Sequence, residues 1–593
     1  MRKFFHRPRT VDQTDKKVLL KDIKLDRESF YFVPIGGTAE FGMNLNLYYF
    51  RGKWIIVDIG VSFEILPYSS HNCVLLPSMD FVRSIPTEDV LGVFLTHGHE
   101  DHIGAIQYLS KYLPFPMYTT PFTAKLINRK VEDYGTKADV RVVEYGKLYS
   151  FGDPEDPVFR VQWINVTHSI PDSSMLLIEA VNKDQVMRVI HTGDWKFDSN
   201  PLIGPKSDLQ KLKDIGEKGV LAVVGDSTKA DSTQENATEG EVQEALFDRL
   251  KHKKTGRIVI VCFSSNVARV HSAMALAKKL NRSVGFVGRS LQRIKDIAME
   301  LGYLDATYFL DEDDIIKCIP EKTLLICTGA QAEINSGLRR LAEEEHPRVK
   351  LSKGDTVIIS ARAIPGNEKE IRNMMNRLAR RGIEIITASY DDDSLNASGH
   401  PTQHDLKQLY ELLRPKYVLP VHGEFLHLDA HAKYAKSLGF SSILLDNGFV
   451  VNLSRGCTIE NKLEISKLML DGRQLVPVNG LVHYERSQLI NGVIFVSLFI
   501  NKHDKVFTNI STMGVSENPG NFITPIKQIV LQAVEETVNK HNRKEVISNV
   551  KLKVLDFCFA EFGKNPVVML QCSIAVLKSQ VENSVEKKNN TIE

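Results

Sequence analysis

A buried strand that runs straight into a cluster of histidines is the feature that most constrains this chain. Residues 90–95 read Val-Leu-Gly-Val-Phe-Leu, and residues 96–102 read Thr-His-Gly-His-Glu-Asp-His. Two histidines one residue apart place their imidazoles on one side of a site. The Asp-His pair on the following turn reaches a second position. Neutral imidazole and carboxylate suit zinc, and manganese less exclusively. The motif predicts a two-metal hydrolytic centre.

The size and charge of the chain limit how a substrate is held. A length of 593 residues predicts roughly three or four domains. With 43% hydrophobic and 25% charged residues, the composition is that of an ordinary globular protein. The formal net charge is only +2, so a polyanionic substrate requires a local basic groove.

Cysteine usage and the termini indicate a cytoplasmic protein. The seven cysteines form no C-x-x-C pair, and several lie in apolar runs, which is typical of reduced core thiols. Residues 1–29 form a basic arm without the apolar segment of a secretory signal. No apolar run is long enough to span a membrane.

Short apolar strands alternate with amphipathic helices through the first 450 residues, which predicts an α/β fold. Strands are predicted at residues 54–57, 91–95, 159–165, 187–191, 221–224, 258–263, 323–327, 356–359, 383–386 and 417–420. Helices are predicted at residues 267–280, 291–301 and 369–381.

The character of the chain changes after residue 452. Residues 454–465 are predicted to be a linker, and residues 466–580 a small α+β domain. In that domain, strands at 493–500, 506–510 and 567–577 are predicted to flank one helix near 525–541. Residues 581–593 are polar and predicted to be a disordered tail.

Isolated histidines and aspartates at strand ends supply further candidate ligands. Asp58, His168, Asp194 and His422 each follow an apolar strand. Open α/β sheets place their sites at the carboxyl ends of strands. A single strand-end aspartate is more often a turn or cap residue. Together with the histidine motif, the set gives the number of ligands that two metal ions need. His191 lies inside its strand and is interpreted as a core residue.

This ligand series resembles that of the metallo-β-lactamase fold. Gly-Asp-Ser-Thr at 225–228, Ser-Gly-His at 398–400 and Pro-Val-His-Gly-Glu at 420–424 are similar to the added motifs of its β-CASP nuclease branch. The strings at 263–266, 328–333, 364–368 and 414–424 resemble the ribonuclease J family.

The resemblance implies an αββα sandwich with an inserted β-CASP α/β domain. The first part of the metallo-β-lactamase domain would span residues 30–226, the β-CASP domain 227–390, and the second part 391–453. The C-terminal α+β domain would mediate self-association.

The resemblance also implies a role for each candidate residue. One zinc would be held by His97, His99 and His168, the other by Asp101, His102 and His422, with Asp194 bridging. Mn²⁺ would be able to replace zinc in such a site. Asp226 and His400 would be the acid/base pair, Asp226 as proton donor and His400 as acceptor, and Asp58 would orient a ligand loop.

The substrate phosphate would lie on the segment Asn396, Ala397, Ser398, Gly399 and His400. Ser265 and Asn266 are candidates for another phosphate, with a plain helix N-cap as the alternative. Arg269, Arg289, Arg362 and the arginines of 371–381 are candidate contacts to the RNA backbone, although a solvated face is the commoner role of any one.

The chain departs from the family pattern near this pocket. Ala330 and Ala332 stand where relatives carry serine and glycine, and Asn396-Ala397 stands where they carry His-Val. Because these residues would line the nucleotide pocket, the affinity for a 5′-monophosphate end is the property that the departures put in question. A structural Ca²⁺ of some relatives would lack ligands, because Glu64 is the one acid between Asp58 and Asp80, although Asp471-Gly472 remains.

The resemblance implies a ribonuclease with 5′-to-3′ exonuclease and endonuclease activity on single-stranded, 5′-monophosphorylated RNA, acting in RNA maturation and mRNA decay. Hydroxide held between two cations would attack the phosphodiester and leave 5′-phosphate products. A homodimer or homotetramer and partners in an RNA-degradation complex are expected. Two alternatives stay open: a small-ester or thioester hydrolase of the same fold, and a catalytically weak partner subunit of an active paralogue.

Overall fold

The computed structural model of the protein describes residues 23–575, except residues 67–71, 184, 306–308, 365, 389–393, 538 and 541. Most of the predicted basic arm, the predicted tail and the end of the predicted strand 567–577 lie outside these residues. The chain divides into two compact units. One comprises Met1–Phe63 with Val74–Leu468, and the other Glu64–Cys73 with Met469–Glu593.

Two large sheets form the centre of the first unit. In spatial order, the described eight-stranded sheet contains Thr458–Lys462, Phe449–Asn452, Tyr31–Gly36, Leu45–Phe50, Lys53–Val57, Val90–Phe94, Met117–Thr119 and Val140–Val142. The described seven-stranded sheet contains Ser441–Ser442, Tyr417–Val421, Ala222–Asp226, Gln185–His191, Ser174–Asn182, Pro157–Asn165 and Leu148–Gly152.

The two sheets pack face to face through a buried aromatic and aliphatic core. Phe94 and Tyr48 of one sheet share a hydrophobic cluster with Trp163 and Val224 of the other. A second cluster, which includes Ile190 and Leu409, covers the outer face of the seven-stranded sheet with helices. Burial on both faces explains why these strands read as nearly continuous apolar runs. The predicted αββα sandwich is confirmed.

A third sheet forms the insertion between Asp226 and His400. Its five strands are all parallel, in the spatial order Ser283–Val287, Thr323–Cys327, Ile258–Val261, Thr356–Ile359 and Glu384–Thr387. Parallel strands require helical crossovers, which the alternating sequence supplies. The carboxyl edge of this sheet ends in the loops that carry Ser265, Gly288 and Thr328.

Helices connect these strands throughout the first unit. Their bounds are Asp80–Ser84, Glu100–Ile103, Ile106–Leu109, Pro121–Tyr134, Leu209–Glu217, Glu239–Leu250, Val267–Lys279, Arg289–Glu300, Glu312–Ile315, Gly337–Ala342, Glu368–Arg380, Gln403–Leu413 and Phe425–Ser437. Short 3₁₀ turns lie at Thr87–Asp89, Ser110–Tyr112 and Pro320–Lys322.

A buried ion pair holds the insertion together. The guanidinium of Arg269 lies 2.9 Å from Oε2 of Glu239 and donates to the carbonyl of Leu395 at 2.9 Å and to Ser360 Oγ. Arg269 is fully buried. Its prediction as a contact to the RNA backbone was therefore wrong, because an arginine charge in a sequence does not show whether it faces water or a buried carboxylate.

Two predicted irregular segments are ordered. Residues 454–465, predicted as a linker, include the strand Thr458–Lys462, which pairs with Phe449–Asn452 at the edge of the eight-stranded sheet. All side chains of that strand are exposed, so no hydrophobic pattern marks it. At the end of the predicted basic arm, Ile23 is buried and Asp26 pairs with Arg455 at 2.8 Å.

The second unit contains a three-stranded sheet covered on one face by helices. Its strands, in spatial order, are Val506–Met513, Val493–Ile500 and Val567–Ile574. The helices of this unit are Leu481–Gln488, Gly520–Glu535 and Arg543–Phe562, with a 3₁₀ turn at Leu489–Asn491. The prediction of one helix was wrong: Val546, Val550, Val554 and Cys558 recur every four residues on the buried face of a second long helix.

The described residues include a further sheet, of four strands. That sheet contains Gln474–Pro477, Lys467–Asp471, Asn72–Pro77 and Ser62–Ile65. Asp471, noted beside the calcium prediction, accepts two hydrogen bonds of 2.9 Å from Arg486. Among the described helices, none has the length and hydropathy needed to cross a bilayer.

One departure from the family pattern has a measurable cost. Ala332 has a backbone φ of +55°, in the left-handed region that glycine occupies freely, whereas Ala330 does not. A left-handed alanine costs about 1–2 kcal/mol, and glycine loses about 0.5–1 kcal/mol more chain entropy on folding. Ala332→Gly should therefore leave the protein as stable or up to about 1.5 kcal/mol more stable.

Denaturant unfolding midpoints measure the effect. Ala330→Gly is the matched control, and we expect it to destabilise the protein by about 0.5–1 kcal/mol because it brings the entropy loss without relief of strain. Equal destabilisation by both variants would contradict the strain at Ala332.

Candidate metal centre and active site

The predicted ligands lie at the carboxyl ends of strands of the two central sheets. His97 follows Val90–Phe94 of the eight-stranded sheet. His168, Asp194 and His422 follow three strands of the seven-stranded sheet, and Asp226 ends a fourth. His99, Asp101 and His102 are placed by the turn and short helix after His97. The fold thus brings together all seven predicted ligands and the predicted acid/base pair.

Three histidines and one carboxylate form the first ligand cluster. His99 Nδ1 lies 3.1 Å from His97 Nε2 and 3.0 Å from His168 Nε2. Oδ2 of Asp194 lies 3.8 Å from Nε2 of both His97 and His168. These four side chains present their ligand atoms to one point, as a metal site requires.

Two histidines and two carboxylates form the second ligand cluster. His422 Nε2 lies 3.1 Å from Asp101 Oδ2 and 3.6 Å from Asp194 Oδ1. His102 Nε2 lies 3.1 Å from Asp194 Oδ1 and 3.6 Å from Asp101 Oδ2. Asp194 therefore turns one oxygen to each cluster and is shared between them.

The chemistry of these donors fits divalent metal ions. Two ligand atoms on one tetrahedral zinc, each about 2.0–2.1 Å from the ion, lie roughly 3.3 Å apart. The separations in both clusters bracket that value. Oδ1 of Asp194 is buried, and with the histidine hydrogens on Nδ1 its nearest polar neighbours, His102 Nε2 at 3.1 Å and His422 Nε2 at 3.6 Å, face it with lone pairs. Burying a carboxylate oxygen without a hydrogen-bond donor destabilises the fold, and a cation bound to that oxygen would remove the penalty.

The ring nitrogens that face away from the clusters are held by fixed partners. Nδ1 of His97 contacts Thr96 Oγ1 at 3.0 Å, Nδ1 of His102 contacts Asp58 Oδ2 at 2.7 Å, and Nδ1 of His422 contacts Thr228 Oγ1 at 2.9 Å. With the hydrogen on Nδ1, each Nε2 lone pair is directed to the cluster. Such outer partners orient metal-binding histidines.

His168 and His99 are held by groups beyond the central sheets. His168 Nδ1 donates to the carbonyl of Gly399 at 2.5 Å. A Cβ on Gly399 would lie 2.5 Å from Cε1 of His168, so a side chain there would push the imidazole away. Nε2 of His99 lies 3.0 Å from Ser265 Oγ, on the inserted domain. Ser265, predicted to bind substrate, is thus also a partner of a candidate metal ligand.

Asp58 stabilises the ligand clusters through hydrogen bonds to Thr96 and His102. Its Oδ1 accepts from the Thr96 backbone N–H at 2.8 Å, and its Oδ2 accepts from Thr96 Oγ1 at 2.8 Å and from His102. Asp58 and His422 have φ values of +60° and +53°. Left-handed non-glycine residues are strained and concentrate at functional sites.

The two clusters differ in their electrostatics. Burial, together with neighbouring imidazoles, lowers the pKa of His97 and of His168 far below the ordinary value, and burial lowers that of His99 to about 4. These rings are neutral and ready to bind metal. Burial also acts on His102 and His422, but the carboxylates of Asp194 and Asp101 outweigh it and raise their pKa. The excess negative charge there favours a cation.

Asp226 and His400 form a hydrogen-bonded pair beside the clusters. Oδ2 of Asp226 lies 2.8 Å from Nδ1 of His400, while Oδ1 accepts from the backbone N–H of Thr228 at 2.9 Å and its hydroxyl at 2.7 Å. Burial opposes ionisation of Asp226, but His400 outweighs it and holds the pKa of that carboxyl well below its ordinary range. The Asp226 and Asp194 carboxylates likewise outweigh burial and raise the pKa of His400.

The predicted phosphate-binding residues lie at two places in the chain, the turn at residues 265–266 and the segment at residues 396–400. Asn266 is buried, and its side-chain oxygen accepts from the backbone N–H of Arg269 at 2.9 Å, so it is the N-cap of Val267–Lys279. Its carboxamide oxygen is therefore already used within the fold. Ser398 Oγ accepts from the backbone N–H of His400 at 3.1 Å. Asn396 is half-buried and Ala397 is buried.

Two hydroxyls that support the histidines had no predicted role. Thr96 and Thr228 each stand inside a recognised motif, one directly before His97 and the other two residues after Asp226. A short hydroxyl residue adjoining a ligand or acid/base residue was the available signal. The buried His191 hydrogen-bonds Tyr48 at 3.0 Å between ring nitrogen and hydroxyl, as expected of a core histidine.

Sequence models of three domain families match this chain. Residues 45–214 match the metallo-beta-lactamase superfamily, and residues 255–378 match "Ribonuclease J, beta-CASP domain". Residues 393–445 match "Zn-dependent metallo-hydrolase RNA specificity domain". Fold and site together define a β-CASP metallo-hydrolase that uses divalent metal.

Whole-chain relatives narrow the class to one family. Ribonuclease J of Helicobacter pylori (strain J99) is 32% identical over 92% of this chain and 79% of its own length. Ribonuclease J of Sinorhizobium meliloti is 37% identical over 72% of this chain and 75% of its own. Ribonuclease J2 of Bacillus subtilis is 29% identical over 86% and 93%. The chain belongs to the ribonuclease J family and is a metal-dependent ribonuclease.

A solved structure supports the fold alone. A protein of unknown function from Enterococcus faecalis V583 superposes with a TM-score of 0.50 at 15% identity. The match covers 71% of this chain and 99% of that chain.

The position of Asp58 predicts a metal-affinity phenotype. Asp58→Asn replaces one acceptor that fixes Thr96 and His102 with an amide group, so His102 loses its orientation. We expect metal affinity to fall about 10–100-fold with the fold retained. Competition with a chromophoric zinc chelator measures it. Asp355→Asn is the matched control, since Asp355 is a buried aspartate that caps backbone N–H groups in the five-stranded sheet. Equal metal affinity of Asp58→Asn and Asp355→Asn would contradict the role of Asp58 in orienting His102.

The buried histidine His431 predicts that the protein loses stability at acid pH. His431 contacts Ser227 Oγ at 2.8 Å and the hydroxyl of Tyr410, and burial lowers its pKa to about 4. The unfolded chain takes up this proton near pH 6.5, so stability is lost as pH falls from about 6.5 towards 4. We expect about 2 kcal/mol of loss between pH 7 and pH 5. Unfolding midpoints of the protein and of His431→Gln across this range test it: an unchanged pH dependence in the variant would contradict the assignment.

Proposed function

We propose that the chain binds two zinc ions, one in each cluster, and hydrolyses phosphodiester bonds of single-stranded RNA between them. The observation that carries the proposal is the buried Asp194 carboxylate, which is shared by two ligand clusters and turns one oxygen to the imidazole nitrogens of each. Mn²⁺ would substitute in a site of this donor set. Family membership supports RNA as the substrate class.

The protein groups around the clusters position the reaction. When bound, two divalent cations supply a hydroxide nucleophile near neutral pH and offset the charge gathering on the phosphate. Asp226 holds His400 through Nδ1, which leaves His400 Nε2 as the nitrogen that exchanges a proton with water or the leaving oxygen. In-line attack would leave a 5′-phosphate and a 3′-hydroxyl.

The substrate would be bound from both sides of the centre. The carbonyl of Gly399 contacts His168, Ser398 Oγ contacts the backbone N–H of His400, and Ser265 contacts His99. We infer 5′-to-3′ exonuclease and internal cleavage from one site, with single-stranded, 5′-monophosphorylated RNA as the expected substrate. The altered residues Ala330 and Ala332 make end recognition the property most open to change in this chain.

The remaining expectations concern the setting of the reaction. We infer a homodimer or homotetramer that acts in the cytoplasm, alone or with other RNA-degradation proteins. The cysteines support a reducing compartment, because five of the seven are buried as free thiols.

Cleavage of one labelled RNA tests the mode of action. The protein is incubated with the 5′-monophosphorylated and 5′-triphosphorylated forms, with His99→Ala as control. Mononucleotide release from the monophosphorylated form alone indicates exonuclease action with end recognition. Internal cuts in both forms indicate an endonuclease. No cleavage by protein with its metals bound would overturn the proposal and favour the partner-subunit alternative. Turnover of small esters without RNA cleavage would favour the ester-hydrolase alternative.

Variants of the acid/base pair provide a second prediction. Asp226→Asn and His400→Gln should each lower kcat about 10²–10⁴-fold. Metal content should stay near that of the unmodified protein, because the seven ligands are retained. Loss of metal in proportion to activity would instead make His400 or Asp226 a ligand, an arrangement that their closeness to Asp194 and His422 also permits.

A further inference from the structure

A cationic cavity lies in the inserted domain, away from the ligand clusters. It has a volume of about 380 Å³ and is lined by Gly288, Arg289, Asn335, Gly337, Arg340 and His346. A cavity of this size accommodates a nucleotide-sized group. Its lining carries two guanidinium groups and no carboxylate.

The two arginines of the cavity, Arg289 and Arg340, form no ion pair with any residue that the structure describes. Two of the carboxylates that follow Arg340 along the chain pair with other arginines: Glu343 lies 2.7 Å from Arg377, and Glu344 lies 3.5 Å from Arg381. The cavity therefore keeps two positive charges, which bind phosphate in the forked geometry that arginine favours.

Backbone geometry adds hydrogen-bond donors to these charges. Gly288 has a φ of +131° and precedes the twelve-residue helix Arg289–Glu300, whose N-terminus has no side-chain cap. A Cβ on Gly288 would lie 2.4 Å from Thr328 Oγ1, so the close approach of the backbone requires glycine. His346 is buried, and its Nδ1 accepts from the backbone N–H of Val349 at 3.0 Å, which places the hydrogen of the neutral ring on Nε2.

The cavity and Ser265 lie along the same carboxyl edge of the five-stranded sheet. Gly288 follows Ser283–Val287, and Ser265 follows Ile258–Val261, which lies two strands away. Two strand spacings are about 10 Å. Ser265 in turn contacts His99. A chain of phosphates that crosses the centre would therefore meet this cavity along the same edge.

We propose that this cavity is a phosphate-binding site, occupied by a phosphodiester of the RNA substrate. The proposal rests on the proposed function for the identity of the ligand. The same chemistry would also accept the phosphate of a free nucleotide, and the experiment separates the two sources. Of the arginines considered as backbone contacts in the sequence, Arg289 is the one that the geometry assigns to this role.

Equilibrium binding tests the proposal. The probe is a short single-stranded phosphorothioate RNA labelled with fluorescein at its 3′ end, followed by anisotropy over a range of salt concentrations. We expect Arg289→Gln and Arg340→Gln each to weaken binding about fivefold. The slope of log affinity against log salt should fall by about 0.7 for the lost phosphate contact. Arg289→Lys, which keeps the charge, should restore the slope.

The matched control is Arg414→Gln, which removes an exposed arginine that forms no ion pair among the described residues. We expect its affinity and salt slope to equal those of the unmodified protein. Thermal unfolding checks that each variant is folded. If Arg340→Gln unfolds, the exposed Arg289 alone decides the result.

Competition by AMP, with adenosine as the blank, distinguishes the ligand sources. Loss of AMP binding in the variants with unaltered RNA binding assigns the site to free nucleotides. RNA and AMP affinities both equal to those of the Arg414→Gln control would overturn the proposal. Failure of the unmodified protein to cut RNA would overturn the proposed function and leave this binding comparison standing.

Discussion

The carboxylate of Asp194 lies between two groups of imidazoles, and much of the first unit serves to hold that arrangement. Its two oxygens face different clusters, so three strands of one sheet and a turn from the other must end within a few ångströms of it. Buried negative charge at such a point is unfavourable without cations or hydrogen-bond donors. The closely packed aromatic core between the sheets fixes the strand ends against that repulsion.

The ligand set could be predicted from sequence because each member has a local signature. His97, His99, Asp101 and His102 form a contiguous motif, and the others follow apolar strands. The α/β alternation follows from the same strand pattern, whereas the αββα arrangement was implied by the resemblance to the metallo-β-lactamase fold. These features are encoded within short windows, where hydrophobic periodicity and ligand spacing are directly visible.

Features that depend on partners distant in sequence could not be predicted. The burial of Arg269 depends on Glu239 and Leu395, and the contact of Ser265 with His99 spans 166 positions. The exposed strand Thr458–Lys462 is held by backbone hydrogen bonds, which any sequence can form. The helix Arg543–Phe562 is different, because its four-residue repeat of apolar residues is a local signal in the sequence itself.

The hydrogen bond between Ser265 and His99 joins the inserted domain to the first ligand cluster. A free-energy coupling between two sites acts equally in both directions. If a cation bound to His99 favours one conformation of the loop that carries Ser265, then that conformation raises the affinity for the cation by the same factor. RNA that binds along the sheet edge, and thereby steadies this loop, would raise the occupancy of the metal it needs for its own cleavage.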